Sequence, residues 1–269
     1  MTIGLSSAAF FGRMDTEDQA AKVRDFPVQC CEVFLQTGSE YTAHFGALVR
    51  FRLQGLPCVS VHAMSSQFES ELFSIYHRQA EDALRQFEGV CAAGQAMGAK
   101  YYVLHGRAGY VSPVKVDGIP NLQTTMARLK HTASAYGLEV LWENVSWCAL
   151  RSVEDVLRVR EMLPEQRFVM DVKQAYRAGQ DPLAMIRAMG DKLAHVHVLD
   201  RTADGTLCLP GEGVTDWQGM AEALRSIGYG GAVILEPYER HTRDEAALKR
   251  SLAYLWQVFC GGSAGTVDF

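Results

Sequence analysis

No Pro-, Gly- or Ser-rich linker divides the 269-residue chain, so one domain of ordinary barrel size is expected rather than two units on a hinge. No apolar run approaches the roughly 20 residues that a membrane-spanning helix needs. The first residues, MTIGLSSAAFFGRMDTED, carry no basic region ahead of their apolar stretch and read as a strand and turn rather than a secretory signal. A soluble, cytoplasmic protein with no membrane partner is therefore the expectation. The seven cysteines include no CxxC pair and no metal-finger spacing, which argues against both a disulfide framework and a zinc finger and leaves reduced thiols as the default. Excess positive charge is lacking too. With 26 Lys and Arg against 31 Asp and Glu, the net charge is −5, and no nucleic-acid partner is expected. There is no internal repeat and no low-complexity tract.

What is present is an alternation of short apolar or β-branched runs with longer amphipathic stretches, the pattern of βα units around a parallel sheet. Eight strands are expected: Ile3–Ser7, Cys30–Leu35, Cys58–His62, Tyr101–His105, Glu139–Glu143, Phe168–Asp171, Ala194–Leu199 and Ala232–Glu236. The longest helix is expected over Glu71–Met97, where Leu72, Ile75, Leu84, Phe87, Cys91 and Met97 recur at roughly helical spacing. Glycine follows a helical run in AMGAKYYVLH, AYGLEVLWEN and SIGYGGAVILE, where a left-handed C-cap costs glycine little. The fold class is thus α/β, a single-domain (β/α)₈ TIM barrel over residues 1–260. The segment 261–269, GGSAGTVDF, lacks a packed pattern and is expected to be a tail.

Fully buried parallel strands should be apolar from end to end, yet these end in polar residues. SVHAM places His62, YYVLHG His105, LEVLWEN Glu143, FVMD Asp171, LAHVHVLD His197 and Asp200, and VILEP Glu236. In a barrel those carboxyl ends converge on one mouth, which makes them a site. Carboxylates drained of water raise one another's pKa or demand a cation, and a metal ion resolves the conflict. Three carboxylates with one imidazole suit one divalent ion, Mn²⁺, Co²⁺, Mg²⁺ or Zn²⁺, better than copper or an iron–sulfur cluster. His195 and His197 share the inward face of their strand, with Ala194, Val196 and Val198 on the face toward the helices. His197, nearer the mouth, is the better ligand, and His195 reads as a supporting core histidine.

These residues resemble the xylose-isomerase-like barrels, which include sugar isomerases, ketose 3-epimerases, inosose dehydratases and endonuclease IV. The carriers are WENV at 142–145, FVMDVKQA at 168–175, HVHVLD at 195–200, PGEGVTDW at 210–217 and VILEPY at 233–238, spread over nearly the whole chain. The resemblance implies that Glu143, Asp171, His197 and Glu236 are metal ligands, the same four residues that the strand-end chemistry selects. It also implies that His62 and His105 sit where relatives place substrate-binding or second-metal histidines. One departure stands out: many relatives continue Asp-x-x-His after the sixth strand, whereas this chain has Asp171-Val-Lys-Gln174. That disfavours a three-zinc phosphodiesterase and gives Gln174 a hydrogen-bonding role toward substrate.

The activity so implied is that of a sugar or sugar-phosphate isomerase or epimerase, in which the metal stabilises an enediolate while Glu143 and Glu236 remove and return the proton. Arg107, Lys173, Arg201 and Arg240 follow strand ends and are candidates to bind an anionic group. Phe10, Phe11, Trp142, Trp147 and Tyr110 are candidates for an apolar wall. Asp200 is a candidate to orient His197, and Thr215 or Asp216 to cap the helix that begins near Trp217. Cys148 and Cys208 near the mouth read as structural thiols. The expected partner is a small sugar, with a homo-oligomer open. Two other readings remain: a metal-dependent, endonuclease-IV-like hydrolase using His62 and His105 for a second metal, and a non-catalytic sugar-binding barrel.

Overall fold

The computed structural model describes residues 1–109, 114–238 and 241–261. Eight parallel strands close into one barrel: β1 (Thr2–Ser6), β2 (Cys30–Leu35), β3 (Cys58–Ala63), β4 (Tyr101–Leu104), β5 (Glu139–Glu143), β6 (Arg167–Asp171), β7 (Leu193–Val198) and β8 (Ala232–Leu235). Closure comes from β1 pairing with both β2 and β8. The crossover helices are α1 (Thr16–Val23), α2 (Ala43–Leu53), α3 (His77–Met97), α4 (Leu122–Ala135), α5 (Val153–Met162), α6 (Pro182–Met189), α7 (Trp217–Ser226) and α8 (Glu245–Cys260). All eight expected strands are found, shifted by a residue at several ends. His105 and Glu236 consequently lie just past β4 and β8, on the rim of the mouth. The expected tail, apart from Gly261, lies outside the described residues, as do Tyr110 and Arg240.

Strand residues alternate between two cores. Val33, Val61, Tyr102, Val140, Met170, Val196, Val198 and Val233 belong to the large core that includes Val23, Leu53, Phe87, Leu129, Val159, Ile186, Leu224 and Leu252 from the helices. Ala194, expected in that layer, instead clusters with Val103, Leu141 and Val169, and a second small cluster joins Cys30, Ala232 and Ile234. Gly4 is required there, because a Cβ would meet Ile234 Cδ1 at 2.5 Å and the Cys30 carbonyl at 2.8 Å. Apolar packing in this part of the barrel leaves the polar residues to the layer above it.

Helix ends follow local chemistry. Gly98, Gly137 and Gly228 adopt the left-handed conformations expected of them. Ser152 and Asp155 form a capping box on α5, and Asp216 rather than Thr215 caps α7 by accepting from Gly219 N. The long helix begins at His77, six residues later than expected. Ser70–Phe73 forms a 3₁₀ turn, and Ser74 Oγ accepts from Tyr76 N, so local side-chain bonding overrides helical spacing before α3 starts. No described helix is long and apolar enough to cross a membrane. All seven cysteines are free thiols, with burial pushing the Cys148 thiol well up and the Cys208 thiol up to about 11.

Candidate metal centre at the barrel mouth

Glu143, Asp171, His197 and Glu236 converge at the carboxyl ends of β5, β6, β7 and β8, each with one ligand-type atom within 4.8 Å of the others. His197 Nδ1 stands 3.1 Å from Glu143 Oε1 and 3.8 Å from Glu236 Oε2. Ligands about 2.1 Å from a shared ion are separated by roughly 3.0 to 3.4 Å in octahedral or tetrahedral arrangements, so the His197–Glu143 pair is already at ligand spacing and the His197–Glu236 pair would draw in by about half an ångström around an ion. Two buried oxygens, Glu143 Oε2 and Asp171 Oδ2, make no well-aligned hydrogen bond, although His105 Nε2 and Lys173 Nζ lie 2.9 and 3.3 Å away, so both keep lone pairs that a cation could use. One imidazole nitrogen and three carboxylates therefore fit a divalent metal.

Asp171 divides its carboxylate between two tasks. Oδ1 caps the helical turn Val172–Arg177 by accepting from Gln174 N at 2.7 Å, while Oδ2 is left for the site. Asn144 clasps the same residue, its Nδ2 donating to the Asp171 carbonyl at 2.9 Å and its Oδ1 accepting from Asp171 N at 2.8 Å. Burial raises the Asp171 carboxyl to about 7, against the opposing pull of Lys173. Burial acts the same way on Glu143 and Glu236 but is outweighed: by His105 and His197 for Glu143, which falls well below the usual range, and by Lys173 and His197 for Glu236, which is lowered.

A residue not anticipated from the strand ends lies beneath. Glu32, fully buried in mid-β2, accepts from Ser60 Oγ at 2.8 Å and lies 3.0 Å from His197 Nε2 and 3.3 Å from His195 Nε2. It holds the far nitrogen of His197, so that with a proton on Nε2 the Nδ1 lone pair faces the other three ligands. Its signal in the sequence is one acid inside the apolar run CCEVFL, on the inward phase of the strand and away from its polar end. His195 sits in this lower layer as expected, with burial lowering its pKa.

Asp200, by contrast, does not orient His197. Its carboxylate accepts from Arg201 N, Gly211 N, Thr215 N and Trp217 Nε1, tying the short hairpin Asp200–Arg201/Leu207–Cys208 to the start of α7. The side chain turns toward the crossover loop, where four donors outcompete an imidazole already held by Glu32.

Above the metal cluster lies a cavity of about 290 Å³, lined by Ala8, Phe11, Phe34, His62, Met64, Ser65, His105, Glu143, Trp147, Asp171, Lys173, Gln174, Arg177, Glu236, Pro237 and Tyr238. His62 and His105 meet there, their Nε2 atoms 2.9 Å apart, with His105 Nε2 also 2.9 Å from Glu143 Oε2. His62 Nδ1 donates to the Ala63 carbonyl. Burial would lower the His62 pKa, but Glu143 raises it to about 9. His62, His105 and Glu143 form a second group close enough for an ion. Gln174 reaches the cavity, but its Oε1 accepts from Ser146 N and Oγ, which leaves its NH₂ as the group it can offer a ligand.

Of the expected anion contacts among the described residues, only Lys173 borders the cavity, and it is engaged by Glu236 at 2.6 Å. Arg107 lies in a neighbouring groove and donates to the Phe73 carbonyl, and Arg201 stacks its guanidinium 4.0 Å over the Tyr176 ring. Both are turned away by loop paths that strand spacing does not encode. Arg177, not anticipated, lines the cavity and donates to Tyr238 Oη. Phe11 and Trp147 are wall residues as expected. Phe10 stacks on Phe26 in the core and Trp142 is buried with Nε1 on the His105 carbonyl, so neither forms the wall; Phe34 and Met64 take that place.

The chain belongs to the xylose isomerase-like TIM barrel family, which matches residues 20–257. It is 24% identical to an inosose dehydratase of Lacticaseibacillus casei over 173 residues, 52% of this chain and 58% of that protein. The chain thus spans little more than half the length of the curated relatives it matches. Among solved structures, a D-psicose 3-epimerase determined in the presence of D-fructose superposes with a TM-score of 0.80 at 18% identity, covering 97% of this chain and 100% of that one. The IOLI protein with a bound zinc atom superposes with a TM-score of 0.75 at 16% identity, covering 97% and 99%. These structural likenesses establish the shared barrel fold.

Proposed function

We propose that the protein is a divalent-metal-dependent sugar isomerase or epimerase that moves a proton on the carbon beside a carbonyl. The observation that carries this is the convergence of Glu143 and Glu236 on a monosaccharide-sized cavity, in the same cluster as Asp171 and His197. Those four residues would hold the ion, which supplies Lewis-acid polarisation of a carbonyl and a neighbouring hydroxyl when bound. Glu143 and Glu236 come from strands three places apart around the barrel. One carboxylate takes the carbon-bound proton and keeps it, and the other, carrying a proton of its own from solvent, delivers that proton to the opposite face of the enediolate. Phe11, Phe34, Met64 and Trp147 exclude water from the carbon skeleton, while the His62–His105 pair and the Gln174 NH₂ meet hydroxyl groups.

The likeness to a D-psicose 3-epimerase supports a ketose substrate. Dehydration begins with the same proton removal, so the inosose dehydratase relative is consistent with this first step. The second group, His62, His105 and Glu143, keeps a two-metal hydrolase as the other reading. The test is to incubate Mn²⁺-loaded protein with ketoses and inososes in D₂O and follow deuterium incorporation by NMR. Exchange beside the carbonyl, with Glu143→Gln and Glu236→Gln each lowering the rate by about 10²- to 10⁴-fold, is expected. Phosphodiester cleavage with no exchange into any sugar would contradict the proposal.

A further inference from the structure

The Lys173 ammonium lies 2.6 Å from Glu236 Oε2 and 3.3 Å from Asp171 Oδ2, on two of the residues assigned above to a metal ion. Its placement is built into the fold. The side chain rises from the turn Val172–Arg177, whose cap is Asp171 itself, and its Nζ sits 5.1 Å from the centre of the Tyr238 ring. The residue is only 4% exposed. A lysine is buried to this degree only when its charge is answered, and here the carboxylates of the metal centre answer it.

We propose that Lys173 is the resident counter-cation of the metal centre, competing with the divalent ion for Asp171 and Glu236 and, once displaced, offering its ammonium to a substrate oxygen in the cavity. The inference rests on the metal-dependent reading above. Glu143, Asp171 and Glu236 carry three negative charges when ionised, which a divalent ion and an ammonium together cancel. Before metal enters, the lysine stabilises an otherwise self-repelling cluster. When metal enters, two cations at short range repel in a dry site, and each needs lone pairs on the same two carboxylates. Lys173 borders the cavity beside Gln174, so a displaced ammonium faces the space that a ketose hydroxyl or carbonyl would occupy.

The experiment is calorimetric titration of Mn²⁺ into chelator-stripped wild type, Lys173→Met and Lys173→Gln, with melting curves of the metal-free and metal-loaded forms. Glutamine retains a donor for Glu236 without the charge, so it reports on competition even where the methionine variant folds poorly without metal. Both variants should bind Mn²⁺ at least about tenfold more tightly than wild type, melt lower than wild type without metal, and lose that deficit once loaded. A variant that binds Mn²⁺ no more tightly than wild type overturns the counter-cation role and leaves the metal centre standing. Failure of all three proteins to bind Mn²⁺, or Co²⁺ or Zn²⁺ titrated in its place, overturns the metal reading and this inference with it.

Discussion

His62 shows how one buried residue ties stability to pH. Its folded pKa of about 9 lies above the ordinary histidine value of 6.5, because Glu143 stabilises the imidazolium against the cost of burial. A raised pKa means that the folded state holds the proton more tightly. The stabilisation is therefore complete below about pH 6.5 and is lost as pH rises through about 9. In metal-free protein, the stability advantage of wild type over His62→Gln should shrink by about 3 kcal/mol across that window, read from urea unfolding at a series of pH values. A pH-independent difference would show that His62 is neutral in the folded protein. At this scale the sequence was legible where chemistry interrupts a pattern. Glu143, Asp171, His197 and Glu236 stand at or just past the ends of apolar runs and do converge. Glu32 escaped notice because it interrupts a run in its middle, where an inward-facing acid looks like an isolated anomaly until the barrel closes and brings β7 to it.

Asp200 and Glu32 are both buried carboxylates bonded to neighbouring elements, and they support different ones. Asp200 gathers the hairpin after β7 and the beginning of α7, accepting three backbone N–H groups and the Trp217 indole. Asp200→Ala should destabilise the fold by roughly 3 to 5 kcal/mol, since it strands several buried donors at once, and leave Mn²⁺ affinity unchanged. Glu32→Gln should do the opposite in kind, weakening Mn²⁺ binding by about 10- to 100-fold through a mis-set His197. Denaturant unfolding and metal titration on the two variants separate these roles; a loss of metal affinity in Asp200→Ala would restore it as a support for His197. The strands and their capping glycines were legible because strands buried on both faces read as short apolar runs and left-handed turns leave their mark in single residues. The paths of the β4 and β7 loops were not. Arg107 and Arg201 therefore missed the cavity while Arg177, one turn beyond Lys173, reached it.

At the scale of the whole molecule, barrel closure turns a series of distant strand ends into one polar layer above apolar packing. Eight βα units in order, with no linker, made that architecture readable, and β1 seals it by pairing with β8. The chemistry is less specified than the frame, because a barrel carries many reactions and the loops that choose among them follow no period. The proposed chemistry requires a single metal centre shared by β5 to β8. It is tested most directly by elemental mass spectrometry on wild type, Glu143→Gln and His197→Ala after reconstitution with Mn²⁺, Co²⁺ or Zn²⁺. About one ion per wild-type chain, lost in both variants while they stay folded, is the predicted result. Wild-type protein that retains no metal under any of these conditions, or variants that retain it fully, would contradict the account.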